Sequence, residues 1–253
     1  MADAAPVRLA VAALTHNGRV RPRNEDCIAA AGWLWCEPME APRAWEQPLD
    51  EPVVCMVLDG MGGHADGEVA ARLAAEYLAR ELPPCSTDAA VVACIEASNR
   101  HLYDRMQENP AHLGMGAVLA GMRIAPEGIV VFNVGDSRVY RAQDGFLSQL
   151  SIDDVPKPRA PHTGAAPRSG MITQALGGSM RHVAIAPHVS GQSIAGQRTY
   201  LLCSDGLYDA LEMDEMESAL DDDLAASAAR LLDRALEAGA KDNVSLILVR
   251  VDP

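Results

Sequence analysis

The sequence predicts an α+β protein in which antiparallel strands form the sheets and amphipathic helices lie against them. Three observations lead there. Short apolar runs divided by tight turns recur between residues 117 and 150 and read as an antiparallel meander. Apolar residues at helical spacing mark helices over 66–82, 88–106 and from Leu224 towards Gly239. No repeat and no clear boundary divides the 253 residues, so 1–253 reads as one domain.

In chain order, Arg8 to Leu14 reads as a first strand ending at the hairpin signal Asn17-Gly18. A polar stretch, Val20 to Asp26, then runs into apolar Cys27 to Ala31. Glu25 and Asp26 sit at the mouth of that strand. Neighbours on a strand point to opposite faces, so one of them would meet a metal directly and the other at one remove. A solvated loop with a chance acid pair is the alternative. Gly32 to Pro52 holds all three tryptophans and reads as a strand extension plus a loop that covers a sheet edge or meets a partner.

Val53 to Leu58 is an apolar run that ends in Asp59 and opens into Gly60-Met-Gly-Gly-His64. A carboxylate at a strand tip beside bare glycine backbone suits a hard cation better than it suits a core. A helix follows from near Asp66 and stops at Pro83-Pro84, and a second spans Asp88 to Met106. Strands are expected at Ala117–Ile124, Ile129–Val134, Val139–Arg141 and Phe146–Leu150. Ser151 to Gly170 reads as a mobile surface segment. Strand-like runs follow at Val183–Ala186 and Thr199–Cys203, and the second of these ends in Ser204-Asp205-Gly206, repeating the theme of Asp59. The last helix ends at Gly239, and Lys241-Asp242-Asn243 opens a final strand, Val244 to Val251.

A net charge of −14 argues against nucleic acid and anionic membranes as partners. No segment has the apolar length of a membrane span, and the N-terminus lacks a secretory pattern. Six cysteines show no C-x-x-C spacing and no framework. Cys55 and Cys203 read as buried thiols, and a cytoplasmic location is expected. The run Asp221 to Asp223 complements a helix dipole.

Four strand-edge positions therefore carry acids: Glu25 with Asp26, Asp59, Asp205 and Asp242. Asp136 is a fifth candidate. Several carboxylates on one sheet edge raise one another's pKa unless a cation compensates. An all-oxygen set favours magnesium or manganese over zinc. Two such ions about 4 Å apart share a carboxylate, acidify a bridging water and clamp a phosphoryl oxygen. Arg21 is placed to hold the remaining phosphate oxygens.

Arg21-x-x-Asn24-Glu25-Asp26, Asp59-Gly-Met-Gly-Gly-His64, Gly135-Asp136-Ser137-Arg138, Ser204-Asp205-Gly206 and Asp242-Asn243-x-Ser245 occur in that order. Together they resemble the metal-dependent Ser/Thr protein phosphatases of type 2C in their bacterial form, over roughly residues 8 to 251. The resemblance implies a four-layer α-β-β-α sandwich with two antiparallel sheets face to face. It implies that Asp59 bridges two Mn2+ or Mg2+ ions, that Asp205 and Asp242 bind one, and that Glu25 and the Gly60 carbonyl bind the other. Asp26 would act through metal-bound water, Arg21 would hold the phosphate, and Asp136 would help bind a third, weaker ion. A bridging hydroxide would then attack phosphorus in phosphoserine or phosphothreonine proteins. A cognate Ser/Thr kinase is the partner that the family analogy implies.

Eukaryotic members place a His directly after Asp-Gly, where this chain has Met61. His64 follows as a candidate general acid, with a turn or helix-cap role as the alternative. Gly114-Met115-Gly116 stands in place of Gly-Thr-Thr, at positions expected to pack below the site. Asp153-Asp154 stands in place of an Asp-His pair in the flap. The altered flap keeps a catalytically impaired binding module as a second reading. A phosphatase of a small phosphorylated metabolite is a third.

Overall fold

Two antiparallel sheets pack face to face in the computed structural model, which describes residues 7–61, 66–156, 171–194 and 196–252. Among the described residues, one sheet runs β4 (Arg43–Pro48), β1 (Arg8–His16), β13 (Val244–Asp252), β12 (Arg198–Cys203), β8 (Arg138–Gln143), β9 (Phe146–Gln149). The other runs β11 (His188–Gln192), β7 (Gly128–Val134), β6 (Gly116–Ala125), β5 (Val53–Met61), β2 (Cys27–Ala30), β3 (Trp33–Trp35), with short β10 (Leu176–Gly177) also paired to β6. Helices α1 (Gly67–Glu81) and α2 (Asp88–Glu108) cover the second sheet. Helices α3 (Asp205–Tyr208), α4 (Met213–Ser218) and α5 (Leu224–Glu237) cover the first.

Side-chain alternation builds these four layers. On β1, Leu9, Val11 and Ala13 enter the core between the sheets, while Ala10, Ala12 and Leu14 face the α5 layer. On β5, Cys55 and Val57 point inward, and Val54, Met56 and Leu58 meet α1. Such strands are buried on both faces, which is why the sequence shows continuous apolar runs with little polar alternation. Buried Ala70, Ala71, Ala74 and Ala75 let α1 lie close on its sheet, and Pro83-Pro84 follows its end. Thr87 caps α2 by accepting from Ala90 N at 3.2 Å. Asp223 caps α5 from Ala226 N at 3.0 Å, so the acidic run there serves the helix start as expected.

Four expectations need correction. The turn at Asn17-Gly18 does not make a hairpin, because β1 and β2 belong to different sheets. Arg19 N donates to Ala240 O instead, tying the turn to the segment before β13. The expected meander resolves into two hairpins, β6–β7 and β8–β9, because the chain crosses to the other sheet at Gly135. Residues 183–186 form no strand, and β11 lies just beyond them. The mobile segment expected from Ser151 is anchored at its start, since Ser151 and Asp154 are buried. Residues 157–170 lie outside the described residues.

The cysteines also differ from expectation. Cys55 and Cys203 are buried thiols as read, but Cys27 and Cys36 form a disulfide. The β2–β3 hairpin pairs Ile28 with Trp35 and so brings the flanking residues 27 and 36 together, a proximity that sequence spacing does not reveal. The cysteine argument for a reducing compartment is weakened accordingly. Among the described residues no helix is long and apolar enough to cross a membrane. The tryptophan segment supplies one outer strand of each sheet, β3 and β4, with Trp33 and Trp45 packed against the inter-sheet core, so it covers sheet edges.

Candidate active site

The acids gather where strands of both sheets end at one edge of the sandwich. Cys27 pairs with Leu58 in the β2–β5 ladder, so the next step brings Asp26 opposite Asp59. One step further, Gly60 N donates to Glu25 O at 3.1 Å. In the other sheet Cys203 pairs with Arg138, and continuing that ladder by two residues brings Asp205 opposite Asp136. Asp242 arrives just before β13.

Arg21, Glu25, Asp59, Gly60, Asp136, Asp205 and Asp242 line one cavity of about 440 Å³, together with Met61, Val118 and Ile172. Sequence reasoning named the first seven, and the fold brings all of them together. Asp26 lies beneath the cavity, only 1% exposed. His64 lies outside the described residues. Gly60 is required sterically, because a Cβ there would sit 2.3 Å from Gly67 O and 2.5 Å from Glu25 O. That close approach sets α1 directly against the end of β5.

The carboxylates perturb one another. Burial, then the charges of Asp26, Asp205 and Asp242, push Asp59 well above the ordinary carboxylate range. Burial and the Asp136 charge raise Asp205 to about 6, and burial raises Asp26 to about 7. Asp136 is raised by burial as well. Oδ1 of Asp26 and Oδ1 of Asp205 are buried without any hydrogen-bond partner. Unpartnered buried carboxylate oxygens are costly unless a cation offsets them. With neither His nor Cys among the residues lining the cavity, the donor set fits hard divalent cations. Among the described residues no three such side chains already close on a common centre. Asp242 is engaged by Arg21, and Asp59 is hydrogen-bonded to Asp205.

A buried polar network that sequence reasoning missed supports this edge. Ser204 Oγ donates to Asp26 Oδ2 at 2.9 Å and accepts from Ser245 N at 3.1 Å. Ser245 Oγ meets Thr15 Oγ1 at 2.7 Å, and Asn24 Nδ2 donates to Thr15 Oγ1 at 2.8 Å. Asn243 accepts from Glu25 N at 2.8 Å and donates to Arg23 O at 2.8 Å, fixing the loop that presents Arg21 and Glu25. The signal was present, since Asn24, Ser204, Asn243 and Ser245 all stand inside motifs read only for their acids. The Gly114-Met115-Gly116 segment packs as expected: Met115 is fully buried and Gly116 opens β6.

Face-to-face sheets, outer helices and a carboxylate cavity at one edge define the class that the sequence motifs resemble. The model of the protein phosphatase 2C family matches residues 44–248, and the chain belongs to that family. It is 32% identical to the serine/threonine protein phosphatase PstP of Mycobacterium tuberculosis, over 96% of this chain and 45% of that protein. This chain thus spans about half the length of that relative. It is 29% identical to the serine/threonine phosphatase stp of Listeria monocytogenes, over 94% of each chain. Among solved structures, the M. tuberculosis phosphatase PstP/Ppp superposes with a TM-score of 0.79 at 29% identity, covering 97% of this chain and all of that one. The PstP catalytic domain in complex with two manganese ions gives 0.76 at 30% identity, with 98% and 100% coverage.

Proposed function

We propose that this chain hydrolyses phosphoserine and phosphothreonine in proteins, using two Mn2+ or Mg2+ ions and a third, weaker one, and that it acts as one catalytic domain. The observation that carries this reading is the convergence of six acidic or backbone donor groups and Arg21 on a single cavity. The manganese pair of the related PstP structure supports it.

Bound at this edge, divalent cations would neutralise the carboxylates and supply Lewis-acid activation of water. Asp59, facing Asp26 on one side and Asp205 on the other, is the residue suited to serve both ions. Glu25 and the Gly60 carbonyl would hold one, and Asp205 with Asp242 the other. Asp136 stands beside Asp205 for the third. Asp26 would anchor the set from below through its Ser204 bond. The Arg21 guanidinium, half-exposed at the mouth, would bind two phosphate oxygens and orient the ester. His64 remains the candidate proton donor to the leaving serine or threonine oxygen.

A Ser/Thr kinase must supply such a substrate, which places the protein in a signalling circuit with a kinase partner. The test is hydrolysis of p-nitrophenyl phosphate and of a phosphothreonine protein, with Mn2+, with EDTA, and with Asp205→Asn in parallel. Turnover that requires Mn2+ and disappears in the variant is expected. Mn2+ binding without turnover would sink the reading.

A further inference from the structure

Asp153 and Asp154, which stand where the type 2C pattern carries Asp-His, are both committed to bonds. Asp154 is 8% exposed. Its Oδ2 accepts from Gly135 N at 2.9 Å, and its Oδ1 accepts from Gln174 Nε2 at 2.8 Å and from His188 Nε2 at 2.9 Å. Its backbone N donates to Gly135 O at 2.9 Å, and its carbonyl accepts from Thr173 N at 2.7 Å. One residue therefore ties together the β7–β8 crossing, the segment after β9, the chain at 173–174 and edge strand β11.

Asp153 makes the complementary contact. Its carboxylate receives Arg138 Nε at 3.0 Å and Nη2 at 2.7 Å. The Arg138 guanidinium lies 3.6 Å from the Tyr208 ring centroid, and Tyr208 OH donates to Asp136 O at 3.0 Å. The peptide on the N-terminal side of Asp136 is thus held by Asp154. The carbonyl on its C-terminal side is held by a chain that begins at Asp153.

We propose that Asp153 and Asp154 are positioning residues that frame Asp136 from both sides and so set where its carboxylate stands in the cavity. The crossing they hold has little slack: Gly135 has φ +100°, and a Cβ there would lie 2.3 Å from Val118 Cγ1. The same bonds reach a second part of the cavity lining, because Thr173 and Gln174 follow Ile172, which also lines it. The chemistry explains why an acid stands at 154. Three N–H donors converge on that side chain, and a carboxylate has acceptor sites for all of them, whereas a neutral imidazole has one. One of those three donors is His188 of β11.

The importance of Asp136 rests on the phosphatase reading, so the test includes a measurement that needs no turnover. Wild type, Asp154→His, Asp154→Asn and Asp153→Asn are compared for Mn2+ bound at equilibrium, counted by EPR of the free ion, for kcat, KM and Mn2+ half-saturation with p-nitrophenyl phosphate, and for Tm. Groups behind metal ligands typically change affinity or activity about 10- to 100-fold when replaced. Asp154→His is expected to weaken the loosest Mn2+ site and to lower kcat about 10-fold, with KM nearly unchanged. Asp154→Asn, which keeps one acceptor oxygen and the shape, is expected to fall between it and wild type. Asp154→Asn and Asp154→His with wild-type Mn2+ binding would overturn the proposal. So would activity lost only in proportion to unfolded protein, with an unchanged Mn2+ requirement in the remainder. A wild type that binds Mn2+ without turnover ends the phosphatase reading alone, and the EPR comparison still decides this one.

Discussion

Arg21 Nη2 lies 2.5 Å from Asp242 Oδ2, an ion pair between residues 221 apart at the mouth of the acidic cavity. The guanidinium partly neutralises that carboxylate. If Asp242 holds metal as proposed, Arg21 competes for that carboxylate, while the proposed reaction needs the same side chain for phosphate.

Arg21→Ala should consequently move two quantities in opposite directions. Charge-assisted bonds to phosphate are worth about 1.5–3 kcal/mol, so kcat/KM should drop roughly 10- to 100-fold. The ion pair is half-exposed and worth at most about 1 kcal/mol, so Mn2+ affinity should rise by no more than about 5-fold. Titration calorimetry and steady-state kinetics read the two effects separately. A fall in both would show that Arg21 supports metal binding.

Asp59→Asn removes a carboxyl whose ionisation is opposed by burial and by the charges of Asp26, Asp205 and Asp242. Metal-free protein should become more stable, with a higher Tm, because Asp59 faces Asp26, Asp205 and Asp242. Activity should vanish, and added Mn2+ should no longer raise Tm. Thermal melts with and without Mn2+ check this, and a lower Tm for the metal-free variant would contradict it.

The raised carboxyls give the metal-free protein a pH dependence of definite sign. Burial raises Asp26 to about 7 and Asp205 to about 6 in the fold, against about 3.9 in an unfolded chain. Between those limits the folded state holds protons that the unfolded chain has released. Stability from this source is complete below about pH 4 and is lost as pH rises to about 7. Saturating Mn2+ should reverse the slope, since ionised carboxylates bind it. Equal slopes with and without metal would refute the assignment.

Ser204→Ala should unfold at lower urea concentration with an unchanged m value. The change strands Ser245 N and removes the partner of Asp26 Oδ2, at a cost of about 1–3 kcal/mol. Unchanged stability would mean that water replaces the hydroxyl.

Strand and helix existence was legible wherever a run was long and its period clear, as in β5, α1, α2 and α5. Sheet membership was not. Strands buried on both faces lose the alternation that would assign them to a layer, so the crossing at Gly135 and the parting of β1 from β2 were invisible locally. The acids of the cavity were legible because each stands where an apolar run meets an abrupt polar turn. Asn243 and Ser204 were not, because their roles are defined by partners 218 and 178 residues away. Asp153 and Asp154 were noticed only as a departure from pattern, since spacing says nothing about the donors that converge on them.

The first strand lies beside the last, in register from Arg8 opposite Asp252 to His16 opposite Val244. A growing polypeptide emerging from the ribosome therefore carries Glu25 and Asp59 long before it carries Asp242 or the strand that seats β1. Contacts this distant form late and slowly. Unfinished chains lack part of the cavity, and completion of the sandwich times the onset of any chemistry at its edge.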